Sequence, residues 1–88
     1  MSELLPAWTP IRFGDGRLRG YQRYYGCMTA EVLCDGDPEW VVCGGGLFLG
    51  PYGARSVQHA AKAAVLVAKA LDRAFDIAAG ADEEARDE

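Results

Sequence analysis

Residues 56–79 read SVQHAAKAAVLVAKALDRAFDIAA, and this stretch decides the architecture. At about 100° per residue, Val57, Ala60, Ala64, Val67, Ala68, Leu71, Phe75 and Ala78 fall on one stripe, the face a helix turns to a core. Gln58, Lys62, Lys69, Asp72, Arg73 and Asp76 gather in a polar sector roughly 100° wide. What remains is a second apolar flank, Ala63, Leu66, Ala70, Ala74 and Ile77, where a surface helix is ordinarily polar. Two readings of that flank stand: alanine as a good helix former on a wet surface, or contact with a second copy or another protein. Leu66 and Ile77 argue for the contact. The Ser56 hydroxyl is suited to cap the first amides of the helix, and Gly80 to close its C-terminus.

Upstream of the helix the pattern changes to strands and turns. Trp8 to Phe13 is short and β-prone, Gly14-Asp15-Gly16 is a turn, and a second extended run begins near Leu18. From Tyr24 to Cys34 the residues alternate, with Tyr24, Met28, Ala30, Val32 and Cys34 on one face and Tyr25, Cys27, Thr29, Glu31 and Asp35 on the other. That pattern predicts a half-buried strand. Asp35-Gly36-Asp37-Pro38 then turns the chain into a partner strand over Trp40 to Cys43. Gly44-Gly45-Gly46 either bends that strand or reverses it into the short apolar strand Leu47-Phe48-Leu49. The expectation is an α+β domain over residues 1–80, an antiparallel sheet of three to five strands packed against one long C-terminal helix. An acidic tail over 81–88, with no apolar residue larger than alanine, is expected to be disordered.

Composition bounds the function. A chain of 88 residues makes one domain and buries about 60–65% of its unfolded surface, so association would add needed stability. The net charge of −4 comes from the tail; residues 1–80 carry eight acids and eight bases. Those charges are segregated: Arg12, Arg17, Arg19 and Arg23 face only Asp15 between residues 12 and 23, whereas Glu31, Asp35, Asp37 and Glu39 form an acidic run without a base. Three cysteines cannot all pair within the chain and show no close pairs, which fits a reducing, cytoplasmic setting. Residues 1–6 lack the basic, then apolar character of an export signal. The helix carries too many charges to span a bilayer.

No arrangement specifies a reaction, so neither a catalytic residue nor a cofactor is assigned. His59 is the lone histidine and lies in the first turn of the helix. A nucleophilic cysteine would need a stabilised thiolate, and of the three only Cys27 is expected to reach solvent, with Cys34 and Cys43 as small core residues. A zinc site built from Cys27, Cys34, Cys43 and His59 would have six, eight and fifteen intervening residues, without one tight knuckle, and no metal site is expected. The glycines at 44, 45, 46 and 50 lack the spacing and the following Lys-Ser/Thr of a phosphate loop. Binding chemistry is better represented. Arg12, Phe13, Arg17, Arg19, Tyr21, Arg23, Tyr24 and Tyr25 interleave cations with stacking groups, which suits an acidic protein surface or single-stranded nucleic acid; the bland alternative is a solvated sheet face.

The strands followed by Gly-Ala-Arg-Ser-Val-Gln-His-Ala-Ala-Lys-Ala-Ala resemble, over roughly residues 28–72, the end of a double-stranded RNA-binding domain. The paired lysines of that family are replaced by Val57 and Gln58, and its first helix is missing, so the resemblance implies a shared packing of sheet and helix and not RNA binding. In size, Ala, Arg and Gly bias, strands-then-helix layout and acidic tail, the chain also resembles small proteins of phages and mobile elements, among them the anti-CRISPR inhibitors. That resemblance implies action without catalysis, by occupying a protein or nucleic-acid-binding surface of a CRISPR effector complex in the host cytoplasm. The expected partner-binding residues are Arg12, Arg17, Arg19, Tyr21, Arg23, Asp35, Asp37, Glu39, Leu66 and Ile77. The alternative is a nucleic-acid-associated or structural accessory protein acting as a homodimer through the helix flank.

Overall fold

The computed structural model of the protein describes residues 5 and 7–87, with side chains as far as Gly80. Five strands, β1 (Thr9–Arg12), β2 (Leu18–Tyr25), β3 (Met28–Leu33), β4 (Glu39–Gly44) and β5 (Leu47–Gly53), form an antiparallel meander in sequence order. One helix, α1 (Val57–Asp87), lies across one face of the sheet.

Short turns set the meander. Gly26 (φ +60°) opens the two-residue turn Gly26-Cys27 between paired Tyr25 and Met28, the glycine-first pattern of a type II′ hairpin. Gly45 (φ +56°) and Gly46 (φ +84°) make the turn between paired Gly44 and Leu47, with positive φ at both central positions as in type I′. The glycine run therefore reverses the chain. The β1–β2 loop closes on itself through Phe13 N–H to Arg17 O (2.9 Å) and Gly16 N–H to Phe13 O (2.9 Å).

The segment from Tyr24 to Cys34 departs from the sequence reading: it is a hairpin, not a single strand. Reversal at Gly26-Cys27 flips the parity of what precedes it, so Tyr25 sits opposite Met28 on the helix-facing side and Tyr24 sits opposite Thr29 on the other. The same register puts Tyr21 opposite Val32, in the core at 2% exposure, which removes it from the expected binding surface. Gly80 is likewise not the helix terminus. α1 is continuous through it, since Ala81, Glu83, Glu84, Ala85 and Arg86 are good helix formers and one interior glycine costs only about 1 kcal/mol. The expected disordered tail lies outside the residues whose side chains are described.

The core is a seam of small residues on large ones. Ala60, Ala64 and Ala68 are fully buried and Ala61 nearly so, against Met28, Ala30 and Val32 of β3 and Val42 of β4. Leu5, Trp8 and Tyr21 extend the cluster, and Val57, Val67 and Leu71 complete the expected stripe as partly buried neighbours. Ser56 caps α1 as read: its Oγ accepts from His59 N–H at 3.1 Å. Farther along, the stripe outruns the sheet. Phe75 covers the Gly45 turn but is 38% exposed, and Ala78 is exposed.

Asp72 ties the helix to the β2–β3 turn. Its Oδ1 accepts from Cys27 N–H at 3.0 Å, and its carboxylate occupies the space a Cβ at Gly26 would take. Asp72→Ala is expected to lower stability by about 1 kcal/mol through the lost hydrogen bond, and Gly26→Ala by about 1–2 kcal/mol through strained φ and the clash. Urea unfolding of both single variants and the double variant checks this. The double should lose less than the sum, because removing the carboxylate relieves the clash.

Candidate functional site

Charge was the first guide to a binding surface, and its arrangement in three dimensions divides the arginines. Arg12, Arg17 and Arg19 lie at the β1–β2 end of the sheet, Arg19 as the bulged residue skipped between the pairs Ile11–Gly20 and Arg12–Leu18. Arg23 lies opposite Ala30, on the helix-facing side. Local partners engage three of the four. Arg12 donates to Gly16 O at 3.1 Å, Arg23 lies 5.3 Å from the Tyr25 ring centroid, and Arg17 lies 5.0 Å from that of Phe13. Arg17 also binds Asp15: its backbone N–H (3.0 Å) and then its guanidinium (2.7 Å) hold the Asp15 carboxyl below the usual carboxylate range.

The acidic run arrives at the same end of the sheet. Cys34 N–H donates to Arg19 O at 3.0 Å, so the loop bearing Asp35 and Asp37 abuts the arginine end. Glu39 begins β4 opposite Leu33. The two charged groups adjoin, and neither presents an unopposed field of one sign.

The thiols are poorly set for nucleophilic work. All three cysteines are free, Cys27 exposed and Cys34 and Cys43 half-buried. Desolvation raises each thiol pKa, and the neighbouring carboxylates of Asp72 at Cys27, Asp35 at Cys34 and Glu31 at Cys43 raise it further. A reactive cysteine requires the opposite shift. Among the described residues no buried side chain is charged, and no three His, Cys, Asp or Glu groups converge as a metal site. Among the described residues no helix is long and apolar enough to cross a membrane.

The surface that charge and motif reading missed is the face of the sheet opposite α1. Register aligns Tyr24, Thr29, Cys43 and Phe48 in one row across β2, β3, β4 and β5. The two aromatic ends are 67% and 66% exposed, while the residues between them are small. Three strand spacings separate the ends by about 14 Å, so the row is a trough with aromatic walls. Beside it lie Gln22, Glu31 and Val41 in the next row, then Leu33 and Glu39. Val41 is only 5% exposed, closed over by its neighbours, and the Gln22 amide donates to the Tyr24 hydroxyl at 3.3 Å. The signal that could have found this face is the hairpin at Gly26-Cys27, because only that reversal brings Tyr24 onto the row.

A second bare surface is the expected helix flank. Leu66 and Ile77 are 62% and 57% exposed, with Ala70 and Ala74 also exposed and Ala63 half-buried between them.

In a Cys34→Ser/Cys43→Ser background, Cys27 should react with iodoacetamide more slowly at pH 8 than a free cysteine does. Its rate should still climb at pH values where the free thiol has levelled off, since a raised pKa delays the thiolate. Asp72→Asn should shift that profile to lower pH.

Comparison with known proteins assigns no family: no protein-family model, curated protein or solved structure matches the chain.

Proposed function

We propose that the protein is a binding protein that acts without catalysis and holds a segment of a protein partner on the bare face of its sheet. The observation that carries this reading is the row from Tyr24 to Phe48, two large exposed aromatic side chains flanking Thr29 and Cys43. Large aromatic side chains left exposed in one row of a small protein's sheet favour an interaction surface over a solvated one. The trough, about 14 Å across, suits a partner helix about 10–12 Å in diameter. Tyr and Phe supply contact area at low entropic cost. Glu31 and Glu39 on the same face favour a segment with an apolar stripe and basic flanks, and they oppose a phosphate backbone.

The inhibitor reading is one instance of this function. A protein of this kind could occupy a surface of a CRISPR effector complex, as the resemblance to anti-CRISPR proteins implies, with the adjoining Arg12, Arg17, Arg19, Asp35 and Asp37 as a charged rim. Rim charges set encounter rate and salt dependence more than affinity.

Phe48→Asp combined with Tyr24→Ala leaves the helix-facing core untouched and should unfold at nearly the wild-type urea concentration. Wild type and this variant, each tagged, are compared in capture from nuclease-treated bacterial lysate containing CRISPR effector complexes. A protein recovered stoichiometrically by wild type should be lost from the variant. Equal recovery by both contradicts the proposed surface, and in lysate left untreated with nuclease, salt-sensitive capture of nucleic acid abolished by Arg17→Glu/Arg19→Glu would favour the accessory-protein alternative.

A further inference from the structure

The exposed flank of α1 has a shape and a charge pattern that fit a second copy of itself. At its N-terminal end, His59, Lys62, Ala63 and Leu66 surround a shallow depression of about 300 Å³. These are positions i, i+3, i+4 and i+7 of one helix, the four-residue hole that receives a knob from a facing helix. At its C-terminal end Ile77 projects, 57% exposed. We propose that two copies associate antiparallel along this flank, about a two-fold axis at Ala70, with Ile77 of each copy seated in the hole of the other.

The register follows from the spacing and repeats itself. With Ile77 over the centre of His59, Lys62, Ala63 and Leu66, Leu66 of each copy falls over the centre of Ala70, Arg73, Ala74 and Ile77 of the other, a second hole of the same i, i+3, i+4, i+7 form. The two large exposed residues of the flank thus meet holes that hold Ala63 in one case and Ala70 and Ala74 in the other, and Ala70 meets its own copy at the axis, where its small side chain allows close approach. One self-complementary surface then serves both partners, as a two-fold interface requires.

The charges at the two ends of the flank agree with the same register. Lys62 and Asp76 border the flank on one side, at its two ends. In the antiparallel arrangement Lys62 of each copy lies beside Asp76 of the other, giving two reciprocal ion pairs. In a parallel two-fold pair this border falls on opposite sides of the seam in the two copies, so Lys62 and Asp76 would not meet. Lys69 and Arg73 lie between them on the same border, toward the axis, and are the like charges the seam must hold apart; the Lys69 Nζ is drawn toward its own sheet, 5.7 Å from the Tyr25 ring centroid. The flank faces away from the sheet, so this association leaves the Tyr24–Phe48 trough open and does not rest on the function proposed for it.

From Ala63 to Ile77 the seam is only about 21 Å long. That places it among small, weak interfaces, so association is sought up to roughly 1 mM protein. Sedimentation equilibrium of the wild-type protein should show a reversible monomer–dimer equilibrium. Ile77→Glu and Leu66→Glu should each be monomeric throughout with unchanged circular dichroism, both positions being exposed. Lys62→Glu should weaken the dimer roughly three- to ten-fold, and Lys62→Glu/Asp76→Lys, which restores both ion pairs with reversed sign, should recover most of that loss. A wild-type monomer over the whole range, a dimer indifferent to Ile77→Glu, or no recovery in the charge-reversed double variant would each overturn the proposal.

Discussion

The seam between the alanines of α1 and the middle of the sheet is the contact on which the structure depends. Ala60, Ala61, Ala64 and Ala68 let the helix backbone approach β3 and β4 closely, and Met28, Val32 and Val42 fill the space that larger helix residues would otherwise claim. With so few residues in the core, each fully buried methyl matters, and packing near crystal density leaves little room for enlargement. The β2–β3 and β4–β5 hairpins serve this contact: their tight turns bring Asp72 onto the Cys27 amide and Phe75 over Gly45, fixing the far half of the helix at two turns of one sheet end.

A two-layer protein built this way has one face of its sheet and one side of its helix without cover. Both are unusual here for what they carry. Antiparallel sheets commonly turn polar residues to water on the open side, whereas this one turns Tyr24, Val41, Cys43 and Phe48 outward together with Glu31 and Glu39. The helix presents Leu66 and Ile77 outward on an otherwise small-residue flank. The two surfaces lie on different sides of the molecule, so one can serve a foreign partner while the other serves a second copy.

Much of the fold was legible in the sequence because it rested on periodicity. The apolar stripe from Val57 to Leu71, the Ser56 cap and the Asp35–Pro38 turn each carry a local signal. The exposed flank followed from the same wheel. What failed was parity: without the turn at Gly26-Cys27, Tyr24 and Tyr25 exchange faces, and Tyr21 reads as one more exposed aromatic among arginines. A two-residue hairpin turn with glycine first is easily read as a glycine within a strand, since both interrupt alternation in the same way. The trough was invisible for a related reason. Its four residues come from four strands, and only cross-strand register aligns them. The charged segments were legible as composition but not as place, because the sheet brings the arginine-rich loop and the acidic loop to the same end.

The most direct test of the seam is a matched pair of enlargements in one helix, Ala64→Leu and Ala79→Leu, compared by urea unfolding at low protein concentration. Ala64 is fully buried against the sheet and Ala79 is exposed. Ala64→Leu should lose at least about 1–3 kcal/mol through overpacking, while Ala79→Leu should change stability by no more than about 0.5 kcal/mol. Equal, small effects at both positions would mean that α1 does not pack on the sheet through its alanines, and the account of which surfaces remain bare would fall with it.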